Sequence, residues 1–588
     1  MSRLRIALGT LVAVAALVWL VRELAHTSRL DRPSVLVIAI DTLRADRLGC
    51  YGYARPTSPN IDALATKAVV FEHAISQAPW TLPAFASIVT GVLPSTHGAG
   101  RGKGWKAAHL RPGRPTLATV LRGEGYRTAS FVSNGWVSSE AGMAEGIDEH
   151  DRVVWIGSQG ATTSALRWLR ENAGLQFYMF LHLIDPHGPY EPAAKHLAAL
   201  GLQPSSEDQE RVNAIAGGKH SLADLLPGDP ALLSDLYDGE VRQTDERVGE
   251  VVAALRALGL LEHTIVIIVS DHGEELLEHG RLGHGNTLYD EMLHVPLIIR
   301  APGAGWVGRV REQVRTMDVF PTVLDLLKLP LPAGLDSRSL IPLMKGEREA
   351  GGDRSAASEF LWQGHEQKSL RRPDAKMVLT PGTGDRYWYD LKQDPAETRR
   401  VLGGEVGAAL EAELERVFDT RLDGLLVSVF GDQEEHDLRL VLETETRFDE
   451  VEVEGGEASE RITLSPDRRR VKVRFHLDGS SYPPGWVDVD GLRVRTADDA
   501  PVRMSGTMDG RIIAASTLRL GSKRRTPGVV QPWTFSLDDP LIAVPAGYRP
   551  TRDKRASISV MTRGTLKAEQ QRMSPETERR LRAIGYVD

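Results

Sequence analysis

Cysteine is almost missing from these 588 residues: Cys50 is the only one, so no intrachain disulfide can form and stability must come from packing. Cys50 stands among Leu48, Gly49 and Tyr51, the setting of a small packed residue, and not just behind an apolar leader where a lipid would be attached. Blocks of like charge are missing too. The net charge of −8 is small for this length and the 71 Lys and Arg are scattered, which excludes a nucleic-acid backbone as partner. Long apolar runs are absent with one exception, Ile6 to Val21, preceded by Arg3 and Arg5 and followed by Arg22 and Glu23. That run is slightly short for an unaided membrane span of ~20 residues and slightly long for a signal-peptide core, and no small-x-small cleavage site follows it. We therefore expect residues 1–28 to form an uncleaved N-terminal membrane anchor or signal segment. Positive charge ahead of it would leave the rest outside the cytoplasm, in a periplasm or at a cell surface.

What remains, 41% hydrophobic and 26% charged, suffices for a large core and at least one further domain. From Ser34 onward, short β-branched runs alternate with helix-like stretches, the pattern of a mainly parallel sheet sandwiched by helices. Strands are expected at Val35 to Ile40, Phe177 to Ile184 and Thr264 to Val269. Helices are expected from about Ala165 to Asn172, and from Thr244 or Asp245 to Gly259, where Val248, Val251, Val252 and Leu255 share a face. The alternation fades near Pro342. A charged helix follows at Val406 to Phe418, and from Leu425 to about Leu520 the period becomes two, as in Val471, Val473, Phe475 and Leu477, which reads as an antiparallel β domain. A last helix opens at Ser574 with Pro575 in its first turn and stops before Gly585. The expected organisation is thus the anchor at 1–28, a catalytic α/β domain at 32–346, a small subdomain with its helix at 347–423, a β-rich accessory domain at 424–560 and a helical tail at 561–588.

Three strands end on polar residues: Ile40 gives way to Asp41, Ile184 to Asp185 and His187, and Val269 to Ser270, Asp271 and His272. In open α/β sheets, sites form beyond the carboxyl ends of strands. One such Asp alone ordinarily caps a helix or closes a turn; three together with histidines suit a metal. A divalent ion such as zinc takes carboxylate oxygen and neutral imidazole nitrogen, and Asp41, Asp271 and His272 supply that mixture. Thr81, in Pro79-Trp80-Thr81-Leu82-Pro83, opens a helix, where the positive potential also attracts an anionic substrate. By itself it would serve as an N-terminal cap. Coordination would make it a fourth ligand and a nucleophile. His187 in Asp185-Pro186-His187-Gly188 and His284 in Gly283-His284-Gly285 are expected at substrate oxygens, with His284 as the acid for the leaving group. His279, Glu274 and Glu278 form a looser group, readable as a second metal site or as solvated residues.

Asp41-Thr42-Leu43-Arg44-Ala45-Asp46, Thr57-Ser58-Pro59-Asn60-Ile61-Asp62, Thr90-Gly91, Asp185 to Tyr190, Ser270-Asp271-His272-Gly273-Glu274, Gly283-His284-Gly285, Val295 to Ile299 and Tyr389-Asp390-Leu391 with Asp394-Pro395 occur in the order seen in the sulfatase family. Over residues 32 to 400 the chain resembles that family, part of the alkaline phosphatase superfamily. The resemblance places Asp41, Asp271 and His272 on metal ligands and His187 and His284 on substrate-side groups. The chain departs from the family at the nucleophile. Sulfatases carry Cys-x-Pro-x-Arg, whose cysteine matures to formylglycine, whereas this chain has Thr81-Leu82-Pro83-Ala84-Phe85. Thr42, His272 and His284 also stand where many sulfatases have Asp, Asn and Lys. These features are similar instead to the phosphoethanolamine and glycerol-phosphate transferases of the same superfamily, which form a phosphothreonine at a zinc or manganese site.

The expectation is a metal-dependent hydrolase or transferase using Thr81 on an anionic ester, lipid- or glycan-linked, with Zn2+ as the first choice of ion and Mn2+, Ca2+ or Mg2+ as the others. Two rivals are a sulfuric ester hydrolase working without formylglycine and a non-catalytic surface protein that binds through its β domain. Oligomeric state is left open.

Overall fold

The computed structural model describes residues 32–562 apart from residues 102–106, 112, 152–156, 218–221, 348–353, 363–364, 381–384, 402–403, 419–424, 431–435, 455–461, 478–489, 497–501, 509–510 and 519–556. The apolar segment at 1–28 and the helix expected from Ser574 lie outside the described residues. Among the described residues no helix is long and apolar enough to cross a membrane.

Eight strands form the central sheet: β1 (Ser34–Ile40), β2 (Val69–Ile75), β3 (Arg127–Phe131), β4 (Glu149–Asp151), β5 (Phe177–Leu183), β6 (Thr264–Ser270), β7 (His294–Arg300) and β8 (Gly308–Arg315). Their order is β8-β2-β7-β6-β1-β5-β3-β4. β1 lies parallel to both β5 and β6, while β7 runs antiparallel to its neighbours β2 and β6. The three central strands are buried along their whole length. Alternate residues serve opposite faces, as strand geometry demands: Leu36, Ile38 and Ile40 enter one core cluster, Val35, Val37 and Ala39 the other. A one-residue slip of β1 would drag Asp41 into that apolar interior, where an unpaired carboxylate costs several kcal/mol. The register therefore holds Asp41 and Asp271 side by side just past two neighbouring strand ends.

Helices cover both faces. α1 (Thr81–Thr90) is buried throughout, and α2 (Gly157–Glu171) packs on α3 (Asp229–Ala257). α3 begins some fifteen residues before the expected start, with Pro230 in its first turn. Its first half hid from the apolar pattern because polar side chains occupy buried positions there. Asp238 takes the guanidinium groups of Arg47 and Arg55 at 3.2 and 2.9 Å, and Glu240 accepts from the Glu191 amide at 2.7 Å.

A second, antiparallel sheet of four strands follows: β9 (Ala356–Trp362), β10 (His365–Arg372), β11 (Ala375–Thr380) and β12 (Asp385–Asp390), with α5 (Gly404–Val417) against it. A buried ionic cluster joins this sheet to α4 (Asp290–Leu293), a short helix between the active-site loops and β7. Lys376 Nζ reaches Asp290 at 2.7 Å and Glu397 at 2.9 Å, and Arg371 meets Asp290 at 2.7 Å. Beyond residue 424 all described elements are strands, in two antiparallel sheets of four and five.

Candidate active site

Two turns carry the acidic residues. After β1 the chain bends through Thr42, which sits at φ 54°, a left-handed conformation uncommon for a threonine. Tyr237 of α3 holds the bend by donating to the Thr42 carbonyl at 2.7 Å and accepting from the Arg44 amide at 3.0 Å. After β6, the His272 amide donates to Asp271 Oδ1 at 2.8 Å, which leaves Oδ2 turned the other way. Asp41, Asp271, His272 and Thr81 are all fully buried.

His272 Nε2 is the common neighbour. It stands 3.5 Å from Asp41 Oδ1, 3.3 Å from Asp271 Oδ2 and 3.4 Å from Thr81 Oγ1. Ligand atoms around a tetrahedral ion with bonds of about 2.0–2.2 Å are about 3.3–3.6 Å apart. The ring is oriented for such a role: Nδ1 lies 2.9 Å from the Gly273 carbonyl and donates to it, so Nε2 carries the lone pair. Burial, with the charge of His284 next, lowers the His272 pKa to about 3, which keeps it neutral. Among the described residues no hydrogen bond reaches Asp41 Oδ1 or Asp271 Oδ2, and Asp41, Asp271 and His272 are the one group with the spacing of a metal site. Two buried carboxylates with oxygens turned to one point need a cation there. The residues therefore fit a divalent ion.

The electrostatics split the two acids. Burial alone would raise the pKa of Asp41, but the hydrogen bond and charge of His182, followed by His187 and His272, hold it well below the usual carboxylate range. Burial and then the charge of Asp41 push Asp271 far above that range. Sequence reasoning missed two of the groups that set this balance. His182 Nε2 lies 3.2 Å from Asp41 Oδ2, and Asn134 Nδ2 donates to the same oxygen at 2.8 Å. Each had a signal: a histidine inside an otherwise apolar buried strand needs a polar partner, and Ser133-Asn134 follows β3 as Asp271-His272 follows β6.

Thr81 is the first residue of α1. The helix N-cap is Trp80, with no side-chain cap bond, so Thr81 does not take the capping role it would have by default. His187 and His284 come to the same place, with ring centroids 4.7 Å apart, and His284 lies 4.6 Å from His272. His284 Nδ1 is 3.3 Å from both oxygens of Glu274. Burial works against its protonation, but the charge and hydrogen bond of Glu274 outweigh it and raise the pKa. His187 is the opposite case, lowered to about 4 by burial and then by the His284 charge. Gly283 and Gly285 adopt φ of 91° and 73°, which the tight loop around His284 requires, and the Gly285 amide donates to the Pro79 carbonyl at 2.9 Å, tying this loop to the start of α1.

The other expected residues go elsewhere. Asp185 accepts from the Ser158 amide at 3.2 Å at the start of α2 and does not join the cluster. The second metal group does not assemble: Glu274 turns to His284, Glu278 to Arg44 at 2.5 Å, and His279 to Glu291 at 3.0 Å while stacking on Tyr289.

Comparison with known proteins covers the same region. The family model "Sulfatase" matches residues 33–329, and the model "N-sulphoglucosamine sulphohydrolase, C-terminal" matches residues 278–422. Arylsulfatase K of Bos taurus is 25% identical over 455 residues, covering 66% of this chain and 82% of its own length. Among the similar solved structures are two hydrolases. The phosphonate monoester hydrolase of Silicibacter pomeroyi is 26% identical with a TM-score of 0.54, covering 66% of this chain and 94% of that one. The phosphonate monoester hydrolase of Agrobacterium radiobacter has 21% identity and a TM-score of 0.56, covering 66% and 95%, and shares the fold.

Proposed function

From the premise that this chain belongs to the sulfatase family, hydrolases acting on sulfate or phosphate esters, we propose that it cleaves a phosphoester with Thr81 as the nucleophile. The observation that carries this reading is the 3.4 Å approach of Thr81 Oγ1 to the lone-pair nitrogen of His272, beside two carboxylates. Formylglycine has no precursor at position 81, where threonine stands. Cys50, its one cysteine, donates its backbone amide to Asp62 at 2.7 Å, and burial, then Asp62, push its thiol pKa up to about 12.

Asp41, Asp271, His272 and Thr81 would hold the divalent ion. A divalent ion held by these residues would supply Lewis acidity, lowering the pKa of the Thr81 hydroxyl and drawing charge from an ester oxygen. Thr81 then presents its oxygen as alkoxide to phosphorus. As the Oγ–P bond forms and the bond to the leaving oxygen breaks, His284 gives that oxygen a proton. The positive potential at the head of α1 favours the non-bridging oxygens, and His187, a neutral ring whose Nδ1–H faces the Gly188 carbonyl, lines the substrate side as an acceptor. In the second half, His284 takes a proton from the attacking water or acceptor alcohol, the Oγ–P bond breaks and the threonine alkoxide returns. Water makes the protein a hydrolase, an alcohol makes it a transferase. The similarity to phosphonate monoester hydrolases supports a phosphorus centre; the similarity to arylsulfatase K supports a sulfate ester as second reading.

Mixing the protein with an aryl phosphodiester and measuring intact mass tests this. A phosphoryl adduct located at Thr81, absent from Thr81→Ala, is expected. Turnover of aryl sulfate well above aryl phosphodiester would favour the second reading. Failure of both substrates in metal-loaded protein would favour a binding protein.

A further inference from the structure

The two oxygens of Asp41 have different neighbours. Oδ1 lies 3.5 Å from His272 Nε2, on the side where the candidate ligand atoms converge, and among the described residues no hydrogen bond reaches it. Oδ2 faces the protein: Asn134 Nδ2 donates to it at 2.8 Å and His182 Nε2 stands 3.2 Å away. Those two residues come from neighbouring strands. β1 pairs with β5 in a register that sets Ala39 beside His182, and the Asp41 amide donates to the Leu183 carbonyl at 2.9 Å. β5 pairs in turn with β3, and Asn134 lies three residues beyond the end of β3.

Each of the two also leads to α1. While the Asn134 amide nitrogen meets Asp41, its Oδ1 accepts from the Trp136 amide at 2.9 Å and closes the turn over Gly135–Val137. The Trp136 indole stands edge-on to that of Trp80, with ring centroids 5.6 Å apart, and Trp80 is the residue before Thr81. On the other side the His182 ring meets the Phe85 ring at 5.2 Å, again near a right angle. Phe85 lies four residues after Thr81, which puts both on one side of the helix. Asp41, Asn134, His182, Trp80, Trp136 and Phe85 are all 2% exposed or less, and in an interior packed this closely a shift of one is felt by the next.

We propose that Asn134 is a positioning residue that ties the aim of Asp41 to the placing of Thr81, with His182 as the second hold on the same carboxylate oxygen. A carboxylate held at one oxygen presents only the other to an ion. Released, it can turn about its Cβ–Cγ bond and bring both oxygens forward, at the expense of the place Thr81 Oγ1 takes beside His272. Groups that stand behind a metal ligand in this way are worth roughly 10–100-fold in affinity or activity. A misplacement of about 1 Å at a reacting atom costs about 10²-fold. The effect on attack rests on the reading that Thr81 is the nucleophile; the hold on Asp41 does not.

The test uses the full chain, with Zn2+ affinity read by competition with a chromophoric chelator and kcat and KM read on an aryl phosphodiester. Asn134→Ser keeps an oxygen able to cap the Trp136 amide and removes the donor to Asp41. It is expected to bind Zn2+ about tenfold or more weakly and, at saturating Zn2+, to lose about tenfold or more in kcat with KM within about threefold of wild type. Trp136→Ala should lose kcat to a similar degree with Zn2+ affinity kept within about threefold, and Trp136→Phe, which keeps a ring against Trp80, should recover most of it. Because the links lie in series, Asn134→Ser/Trp136→Ala should lose little more kcat than the worse single variant. Losses that multiply in the double variant overturn the proposal. So does Asn134→Ser with a lower Tm but unmoved Zn2+ affinity and kcat, the mark of a merely structural residue. Should Asn134→Ser not fold, His182→Leu and His182→Gln carry the same test: the first is expected to weaken Zn2+ binding about tenfold and the second, with an amide nitrogen near the place of Nε2, to restore it. Wild-type Zn2+ affinity in both overturns the proposal. Weakened Zn2+ binding in Asn134→Ser together with a loss below tenfold in Thr81→Ala would overturn the catalytic reading and spare the hold on Asp41.

Discussion

His272 Nε2 lies 3.4 Å from Thr81 Oγ1 although 191 residues separate them in the chain. The imidazole is fixed from behind by the Gly273 carbonyl and the threonine by its place at the head of a buried helix. An alcohol with a pKa far above neutrality becomes a nucleophile only when something beside it stabilises the alkoxide.

Replacement of Thr81 therefore separates chemistry from structure. Thr81→Ala should lower kcat on an aryl phosphodiester on the order of 10³-fold or more, whereas Thr81→Ser should keep a measurable fraction. A loss below tenfold in Thr81→Ala, measured by steady-state kinetics, would remove Thr81 from the mechanism.

Metal removal should act on stability as well as turnover. Two carboxylates and an imidazole turn ligand atoms to one point, so dialysis against a chelator should lower Tm and abolish activity, and Zn2+ or Mn2+ should restore both. In Asp271→Asn the restoring shift in Tm should be much reduced. Equal Tm values with and without chelator would count against a resident ion.

Glu274 raises the pKa of His284, so the protonated acid persists above the usual histidine range and activity should fall only as pH rises past that raised value. Glu274→Gln removes the charge. The alkaline limb of its kcat profile should move to lower pH, with a loss of about 10²-fold or more near pH 8. An unmoved limb would assign the acid to another group.

The cluster around Asp290 predicts an acid weakness. Burial opposes its ionisation, but Lys376 and Arg371 hold its carboxyl well below the ordinary range. A depressed folded-state pKa contributes stability that is full above the unfolded value of about 3.9 and is lost as pH falls below it. Tm should start to drop as pH falls below about 4 and keep dropping well below pH 3, and drop less steeply in Asp290→Asn. Lys376→Met, which takes the lysine from buried Glu397 and leaves Asp290 only Arg371, should destabilise by roughly 3–5 kcal/mol in denaturant unfolding.

Much of the frame was legible before any coordinates. Uninterrupted β-branched runs announce buried parallel strands because both faces must be apolar, and Val35 to Ile40 and Thr264 to Val269 lie within observed strands. The first half of α3 was not legible, because Tyr237, Asp238 and Glu240 are buried through partners distant in sequence. The group of His279, Glu274 and Glu278 looked coherent only in one dimension; in space each side chain finds a different partner.

By itself the sequence determined which residue types stand at strand ends, that no disulfide or formylglycine precursor is available at Thr81, and which family the motif order resembles. Only the tertiary structure decided that Asp41, Asp271, His272 and Thr81 meet, that Asp185 stays apart, and that His182 and Asn134 set the charge on Asp41. The physical reason is that coordination and pKa depend on distances of a few ångströms between side chains. Those distances follow from strand register and packing, which no local pattern of residues encodes.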